Sequence, residues 1–499
     1  MSIENNKYSK STFHILIYGC QMNYADSARI KAILTHAGMV YVDDIKKADI
    51  VIFDTCSVRQ KSEDKIFGKM LEIEKHQKVW MTWCMVQHYL RNTKIKKAKT
   101  WSIAKLAQGN FVGNVKENDP VIIGFWDFRE ELKNIDKSKD ILPVNTAFNP
   151  LWFRMHDQFP NTELFFRIDD TWFLPLLAEK LGYRVKYESD LNHEYSQIVP
   201  HDSNQIFSTN TKTAFVPIST WCSQFCAYCI VPYARWLEKN RSIEDILQEV
   251  KYHLDHWVEE IVLLGQIVNK HPDFVQICKQ VLSLEKLKWL RYTSPYPTFF
   301  SKELLALHEN EPKMCPHIHM PLQSGSDEIL KKMFRGYNRS DYIKFVDDIR
   351  ALKRPISITS DIIVWFPWES EQDFEDTLEL VKYARFDTVY IGIYSPRPGT
   401  LWAKKYIDDI PKTIKKKRRD VLNDLLRSIS ASNNQKEIWD TKKVMISRLL
   451  KNNKYFGYTD NMKNIVIENN PADQKLKIWD FANINITWWE SFKLYGEVR

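Results

Sequence analysis

The stretch Trp221-Cys222-Ser223-Gln224-Phe225-Cys226-Ala227-Tyr228-Cys229 places three thiols within eight residues, spaced Cys-x3-Cys-x2-Cys. A structural zinc site normally takes four ligands, and no fourth Cys or His stands nearby. Three cysteines around a 4Fe-4S cluster leave one iron without a protein ligand, open to a substrate or cofactor. A thioredoxin-like Cys-x2-Cys is the rival reading. The third cysteine and the strand–helix context of the loop speak against it.

The loop follows the first of six apolar runs: Ala214–Ser219, Glu260–Leu264, Trp289–Thr293, His317–Pro321, Ser357–Val364 and Thr388–Tyr394. Helical patterns lie between them at Ile243–His253, Lys302–His308, Tyr342–Leu352 and Phe374–Ala384. That alternation predicts parallel βα units. Six of them predict a partial (βα)6 barrel over residues 212–438, with its chemistry in the loops after the strands. Gln323, Ser324 and Gly325 follow the fourth strand and are expected to touch a cofactor. His317 and His319 share one face of that strand by the two-residue period. Cys278 and Cys315 read as packing thiols.

Upstream, Phe13–Tyr18, Ile50–Asp54 and Val79–Thr82 alternate with helices at Asp26–Ala37 and near Glu63–Lys75. This predicts an open parallel α/β domain over residues 10–125. Each run ends just before a cysteine: Cys20, Cys56 and Cys84. Carboxyl ends of strands line the ligand crevice of such sheets, so the three are expected to meet at one edge. Residues 126–211 read as an elaboration of this domain, with a strand at Leu164–Ile168 and a helix at Trp172–Leu181. Downstream, Pro411–Ile438 reads as a basic helix with Pro411 at its first position. Its Lys415–Arg419 run is expected to contact RNA phosphates. Residues 440–499 predict a small β-barrel with strands at Val444–Leu449, Asn464–Glu468, Asn483–Trp488 and Lys493–Val498.

Composition fits this division. A chain of 499 residues holds two to four domains. Hydrophobic content of 44% and charged content of 27% exclude disorder. No apolar stretch reaches the length of a membrane span, and Met1–Lys10 is polar, so a cytoplasmic protein is expected. Eight cysteines in such a chain point to metal or catalytic use rather than disulfides. The net charge of +8 permits a polyanion such as RNA as partner.

Several motifs narrow the reading: "YGCQMN" (Tyr18–Asn23), "DTCSVR" (Asp54–Arg59), "FCAYCIVPYAR" (Phe225–Arg235), "TSPYP" (Thr293–Pro297), "LQSGSD" (Leu322–Asp327) and "YSPRPGT" (Tyr394–Thr400). Together they resemble the radical S-adenosylmethionine tRNA methylthiotransferases, over nearly the whole chain except about residues 100–160. The resemblance implies an N-terminal methylthiotransferase domain, a radical barrel and a C-terminal RNA-binding TRAM domain. It implies a 4Fe-4S cluster on Cys222, Cys226 and Cys229 that chelates S-adenosylmethionine, with Tyr228 packed on its adenine. A second 4Fe-4S cluster, the sulfur donor, falls to Cys20, Cys56 and Cys84. The implied partners are tRNA and an electron donor of the flavodoxin or ferredoxin type, with a monomeric enzyme and no membrane.

The sister families read "GCKVN" or "GCPKN" at the first cysteine. "GCQMN" with "CSVR" favours the branch that methylthiolates C2 of N6-isopentenyladenosine beside the anticodon. The alternatives are action on threonylcarbamoyladenosine, or an inactive iron–sulfur RNA-binding protein. The last arises because indoles stand at family glycine positions: Trp83, Trp221, Trp236, Trp365, Trp368 and Trp479. Ile267 also stands where Asn is usual. Glycine (14) and tryptophan (17) together number 31, against roughly 35 expected for glycine alone. The sequence therefore predicts that many of these tryptophans are glycines in the native protein, encoded by UGA.

Overall fold

The computed structural model describes residues 11–55, 65–66, 68–83, 121–122, 162–166, 171, 174–185, 211–220, 222–234, 238–397, 400–406, 408, 410–469 and 476–499. The chain divides into two compact units, residues 1–207 with 230–236, and residues 208–229 with 237–499.

In the first unit β1 (Thr12–Tyr18) leads through α1 (Gln21–His36) and β2 (Val40–Tyr41) to β3 (Ile50–Thr55) and β4 (Lys78–Trp83). With β5 (Val121–Ile122) and β6 (Thr162–Phe166) these form a parallel sheet in the order β2-β1-β3-β4-β6-β5. Strand β3 is buried along its whole length, as a central parallel strand covered on both faces should be. The strand expected at Leu164–Ile168 is β6, and it joins this sheet beside β4. It is followed by α2 (Leu174–Lys180). Most of residues 100–160 lies outside the described residues.

In the second unit six parallel strands follow in chain order: β7 (Thr213–Pro217), β10 (Glu260–Leu264), β11 (Trp289–Tyr292), β12 (His317–His319), β13 (Ser357–Val364) and β14 (Thr388–Ile393). Two short strands, β8 (Ser219–Thr220) and β9 (Lys239–Asn240), form a separate antiparallel pair. The six form two sheets, β7-β10-β11 and β12-β13-β14, joined by a bridge between Leu290 and Met314. Helices α3 (Ile243–Asp255), α4 (Phe274–Leu282), α5 (Lys302–Asn310), α6 (Asp327–Lys332), α7 (Arg339–Arg350) and α8 (Glu371–Ala384) lie between them. This is the expected partial barrel.

The alternation sorts side chains cleanly. Ile261, Leu263, Leu290, Ile318, Ile358 and Ile362 enter the cores packed under the helices. Glu260, Arg291, His317, His319, Thr359 and Asp361 belong to the opposite, inner face by the two-residue period. Helix starts are set by short polar side chains. Ser370 and Asp373 exchange bonds in a capping box at α8, as do Asn338 and Asp341 at α7.

After the short α9 (Leu401–Lys405), α10 (Lys412–Gln435) leads into β15 (Thr441–Leu449), β16 (Tyr455–Thr459), β17 (Asn464–Asn469), β18 (Phe481–Glu490) and β19 (Lys493–Val498). These close a barrel in the order β15-β16-β17-β19-β18. Pro411 caps α10 rather than occupying its first turn. The basic run expected on RNA is only partly available. Lys415 is 2% exposed and held by Asp408 and the Tyr394 carbonyl, and Arg418 is 5% exposed. Lys416 and Lys417 remain outward.

Candidate functional site

The loop after β7 and β8 carries Cys222, Cys226 and Cys229. Cys226 is buried and the other two half-buried. A turn closes the loop, with Cys229 N donating to the Cys226 carbonyl at 2.9 Å. The Ala227 N–H bonds the Met333 carbonyl at 3.1 Å, tying the loop to the end of α6. Beside it Arg335 directs Nη1 toward Cys226 Sγ at 3.4 Å. That guanidinium is clasped by the rings of Tyr296 and Tyr337, 4.5 and 5.1 Å from their centroids. Tyr337 also accepts a bond from its Nε.

Among the described residues no three or more His, Cys, Asp or Glu side chains are gathered as a ready metal site. The thiols share a loop without forming a cage as they stand. Burial pushes the Cys222 thiol up to about 11, so metal binding there must displace protons. The donor set fits an iron–sulfur cluster in kind: three thiols at family spacing, a neighbouring cation and an apolar surround. Tyr228 meets Phe366 edge-on at 6.2 Å, beside the cluster of Ala227, Ile329, Met333, Tyr394 and Trp402.

The residues after β12 divide. Gln323 takes φ +69°, bonding both ways to β13 through the Asp361 carbonyl and the Ile363 N–H. Ser324 and Gly325, also expected on a cofactor, pack against α8. The Ser324 hydroxyl lies 3.4 Å from Thr377 Oγ1, and Gly325 N donates to that same oxygen at 2.9 Å. A Cβ on Gly325 would stand 2.5 Å from the Thr377 Cα. Their close packing on α8 is why the sequence holds small residues there.

Of three further groups at this end of the barrel, the sequence singles out only His319. His319 Nε2 lies 3.0 Å from Asp361 Oδ2 on the inner face. The two-residue period had placed His319 there, but its partner comes from another strand. Glu369, 6% exposed, accepts from Trp365 N and from Arg418 Nη1, both at 2.6 Å. Burial pushes its carboxyl up to about 7 against both donors. Asn269 holds the loop after β11, bonding Tyr296 N at 2.8 Å and the Tyr296 carbonyl at 3.0 Å. Cys278 and Cys315 are buried in apolar surroundings, away from this loop.

In the first unit β1, β3 and β4 run in register to Tyr18, Thr55 and Trp83. Cys20 follows β1 and is exposed. Cys56 and Cys84, next in sequence after β3 and β4, lie outside the described residues. Beneath Cys20 is a buried polar net: Asn23 Oδ1 accepts from Cys20 N at 3.0 Å, and Asn23 Nδ2 donates to Asp54 Oδ1 at 2.7 Å. Ser27 Oγ donates to the other Asp54 oxygen at 2.7 Å. Gly19 is needed because a Cβ there would lie 2.0 Å from Asn23 Oδ1. Asn23 and Asp54 flank the cysteines within the quoted motifs, which was the available signal.

Comparison with known proteins agrees with this geometry. Residues 216–381 match the radical SAM superfamily, and residues 12–104 match Uncharacterized protein family UPF0004. A tRNA-2-methylthio-N(6)-dimethylallyladenosine synthase of Dictyoglomus thermophilum is 31% identical, over 97% of this chain and 98% of its own. The Moorella thermoacetica protein of that name is 32% identical, over 98% and 99%. Among solved structures, the radical S-adenosylmethionine methyltransferase TsrM from Kitasatospora setae is similar at a TM-score of 0.46. The identity is 11%, over 80% of this chain and 78% of that one. The chain belongs to the family of the tRNA-2-methylthio-N(6)-dimethylallyladenosine synthases and is a radical SAM tRNA methylthiotransferase.

Proposed function

We propose that this enzyme methylthiolates C2 of N6-isopentenyladenosine next to the anticodon of tRNA, using S-adenosylmethionine as both methyl donor and radical source. The observation that carries the reading is the three-thiol loop at the carboxyl end of a six-stranded partial barrel, in a chain alignable end to end with those synthases. Cys222, Cys226 and Cys229 would hold one 4Fe-4S cluster, and Cys20, Cys56 and Cys84 a second. When bound, such clusters supply the electron that cleaves S-adenosylmethionine and the sulfur that is transferred.

The chain's own residues do the positioning. Arg335 fixes positive charge against Cys226, and Tyr228 offers an aromatic face beside the loop. The small C-terminal barrel, read as a TRAM domain, and exposed Lys416 and Lys417 would meet tRNA phosphates. A flavodoxin- or ferredoxin-type donor, a cytoplasmic setting and a monomer complete the proposal. The domain limits proposed are 10–125, 126–211, 212–438 and 440–499. Among the described residues no helix is long and apolar enough to cross a membrane. The test is anaerobic reconstitution followed by nucleoside analysis of treated tRNA. The expected product is 2-methylthio-N6-isopentenyladenosine, and a methylthiolated threonylcarbamoyladenosine would reject the substrate assignment.

A further inference from the structure

Among the described residues, twelve non-glycine residues have positive φ, and five are tryptophan: Trp257, Trp365, Trp368, Trp439 and Trp479. Tryptophan makes up 17 of 499 residues. Left-handed backbone selects glycine first and then Asn, Asp and His, not large aromatics. Only one Asn appears in the set. The enrichment is specific to tryptophan.

The local geometry is that of glycine sites. Trp368 is the third residue of a turn closed by Glu369 N and the Phe366 carbonyl at 2.9 Å, with Pro367 second. Proline second and glycine third is the preference of a type II turn. Trp439 and Trp479 hold the same third position in turns closed by Asp440 N to the Glu437 carbonyl and by Asp480 N to the Lys477 carbonyl, both 3.1 Å. Each has φ +73°.

Trp257 follows α3, where Val258 N reaches back to the His253 carbonyl at 3.2 Å. The chain ends α1 and α2 the same way: Met39 N to the Leu34 carbonyl around Gly38, and Tyr183 N to the Ala178 carbonyl around Gly182. At both of those ends the left-handed residue is glycine, as the motif favours. Phe334 fills the same place after α6, so the motif alone tolerates an aromatic.

Two of the indoles, Trp257 and Trp439, are left largely in solvent, whereas Trp368 meets the rings of Trp402 and Tyr406 edge-on at 5.5 and 4.1 Å. Trp257 and Trp439 are 85% and 81% exposed, and Trp368 is 57% exposed. Trp365 does bond the Ile414 carbonyl and receive Arg418 on its face. Trp289 is the contrast. It is 3% exposed on an extended strand, edge-on to Phe481 at 4.6 Å and under Arg291 at 4.9 Å.

We propose that Trp257, Trp365, Trp368, Trp439 and Trp479 are glycines in the protein made by its own host, because UGA codons translated here as tryptophan are read there as glycine. Trp289 is a genuine tryptophan. For the site this means that the loop after β13 carries two glycines where the indoles of Trp365 and Trp368 now stand. A small flexible loop then borders the cysteine-bearing end of the barrel.

Peptide mass spectrometry of the protein purified from its host tests this directly. Glycine at all five positions with tryptophan at 289 is the expected result, and tryptophan at any of the five overturns the assignment. A second measurement uses the full chain made recombinantly as written. Replacing the five tryptophans together by glycine should raise its thermal midpoint, whereas Trp289→Gly should lower it. A lower midpoint for the five-fold variant would also overturn the proposal.

Discussion

Arg291 donates through Nε to Glu260 Oε1 at 2.6 Å, with both side chains buried on the inner face of the partial barrel. The same guanidinium bonds the carbonyls of Asp460 and Thr459 at 2.7 and 3.0 Å. Tyr458 donates to the other Glu260 oxygen at 2.7 Å. One ion pair thus joins two strands of the large barrel to the small one. Removing one partner of a buried pair strands the other charge. Arg291→Met should therefore cost about 3–5 kcal/mol in urea unfolding. A loss below about 1 kcal/mol would place the pair among surface-type bridges.

His308 is fully buried, its Nε2 2.6 Å from the Tyr292 hydroxyl. Burial, reinforced by Arg354, pushes its pKa down to about 3. The folded state therefore keeps it neutral while the unfolded chain protonates near pH 6.5. Its contribution is present above that value and is lost as pH falls toward 3, by at most about 1.4 kcal/mol per pH unit. His308→Gln should flatten the acid limb of stability against pH. An NMR titration showing the His308 ring charged at pH 5 in the folded protein would contradict this.

The net under Cys20 depends on Asn23, whose amide bridges the cysteine's backbone and Asp54. Asn23→Ala leaves a buried carboxylate with one partner fewer, at a cost of roughly 1–3 kcal/mol. Asn23→Asp should be worse, because two buried carboxylates then face each other. Chemical denaturation of both variants checks the order.

Lys416 and Lys417 point outward while Lys415 and Arg418 point in. Neutralising the outward pair should weaken tRNA binding and reduce its salt slope by about one unit per lost phosphate contact. Lys415→Gln and Arg418→Gln should lower the thermal midpoint instead. An unchanged salt slope for the outward pair makes it a solvated helix face.

That division shows what sequence reading captured. The six strands of the large barrel were legible because each is an apolar run between helical patterns. The basic run is only partly available because residues three apart on a helix share a face, which turns Lys415 and Arg418 inward together. Strand β16 was missed because Gly457 interrupts it. A Cβ there would lie 2.3 Å from the Met445 carbonyl, so the glycine serves close strand packing rather than a turn. The pairing of Asn23 with Asp54 depends on how α1 packs beside β3, which no local pattern encodes. Ser324 and Gly325 were read by their place after a strand. Their packing partner, α8, lies some fifty residues on and is not signalled locally.

The central claim is two cysteine triads with different tasks. It is tested by measuring 5′-deoxyadenosine and methylthiolated nucleoside, under anaerobic conditions, for two reconstituted triple variants. Changing Cys222, Cys226 and Cys229 to Ala should abolish 5′-deoxyadenosine formation. Changing Cys20, Cys56 and Cys84 to Ala should leave cleavage detectable while eliminating the methylthio product. Iron should fall by about four atoms per chain in either variant. Equal loss of cleavage in both, or methylthio product from the N-terminal variant, would contradict the account.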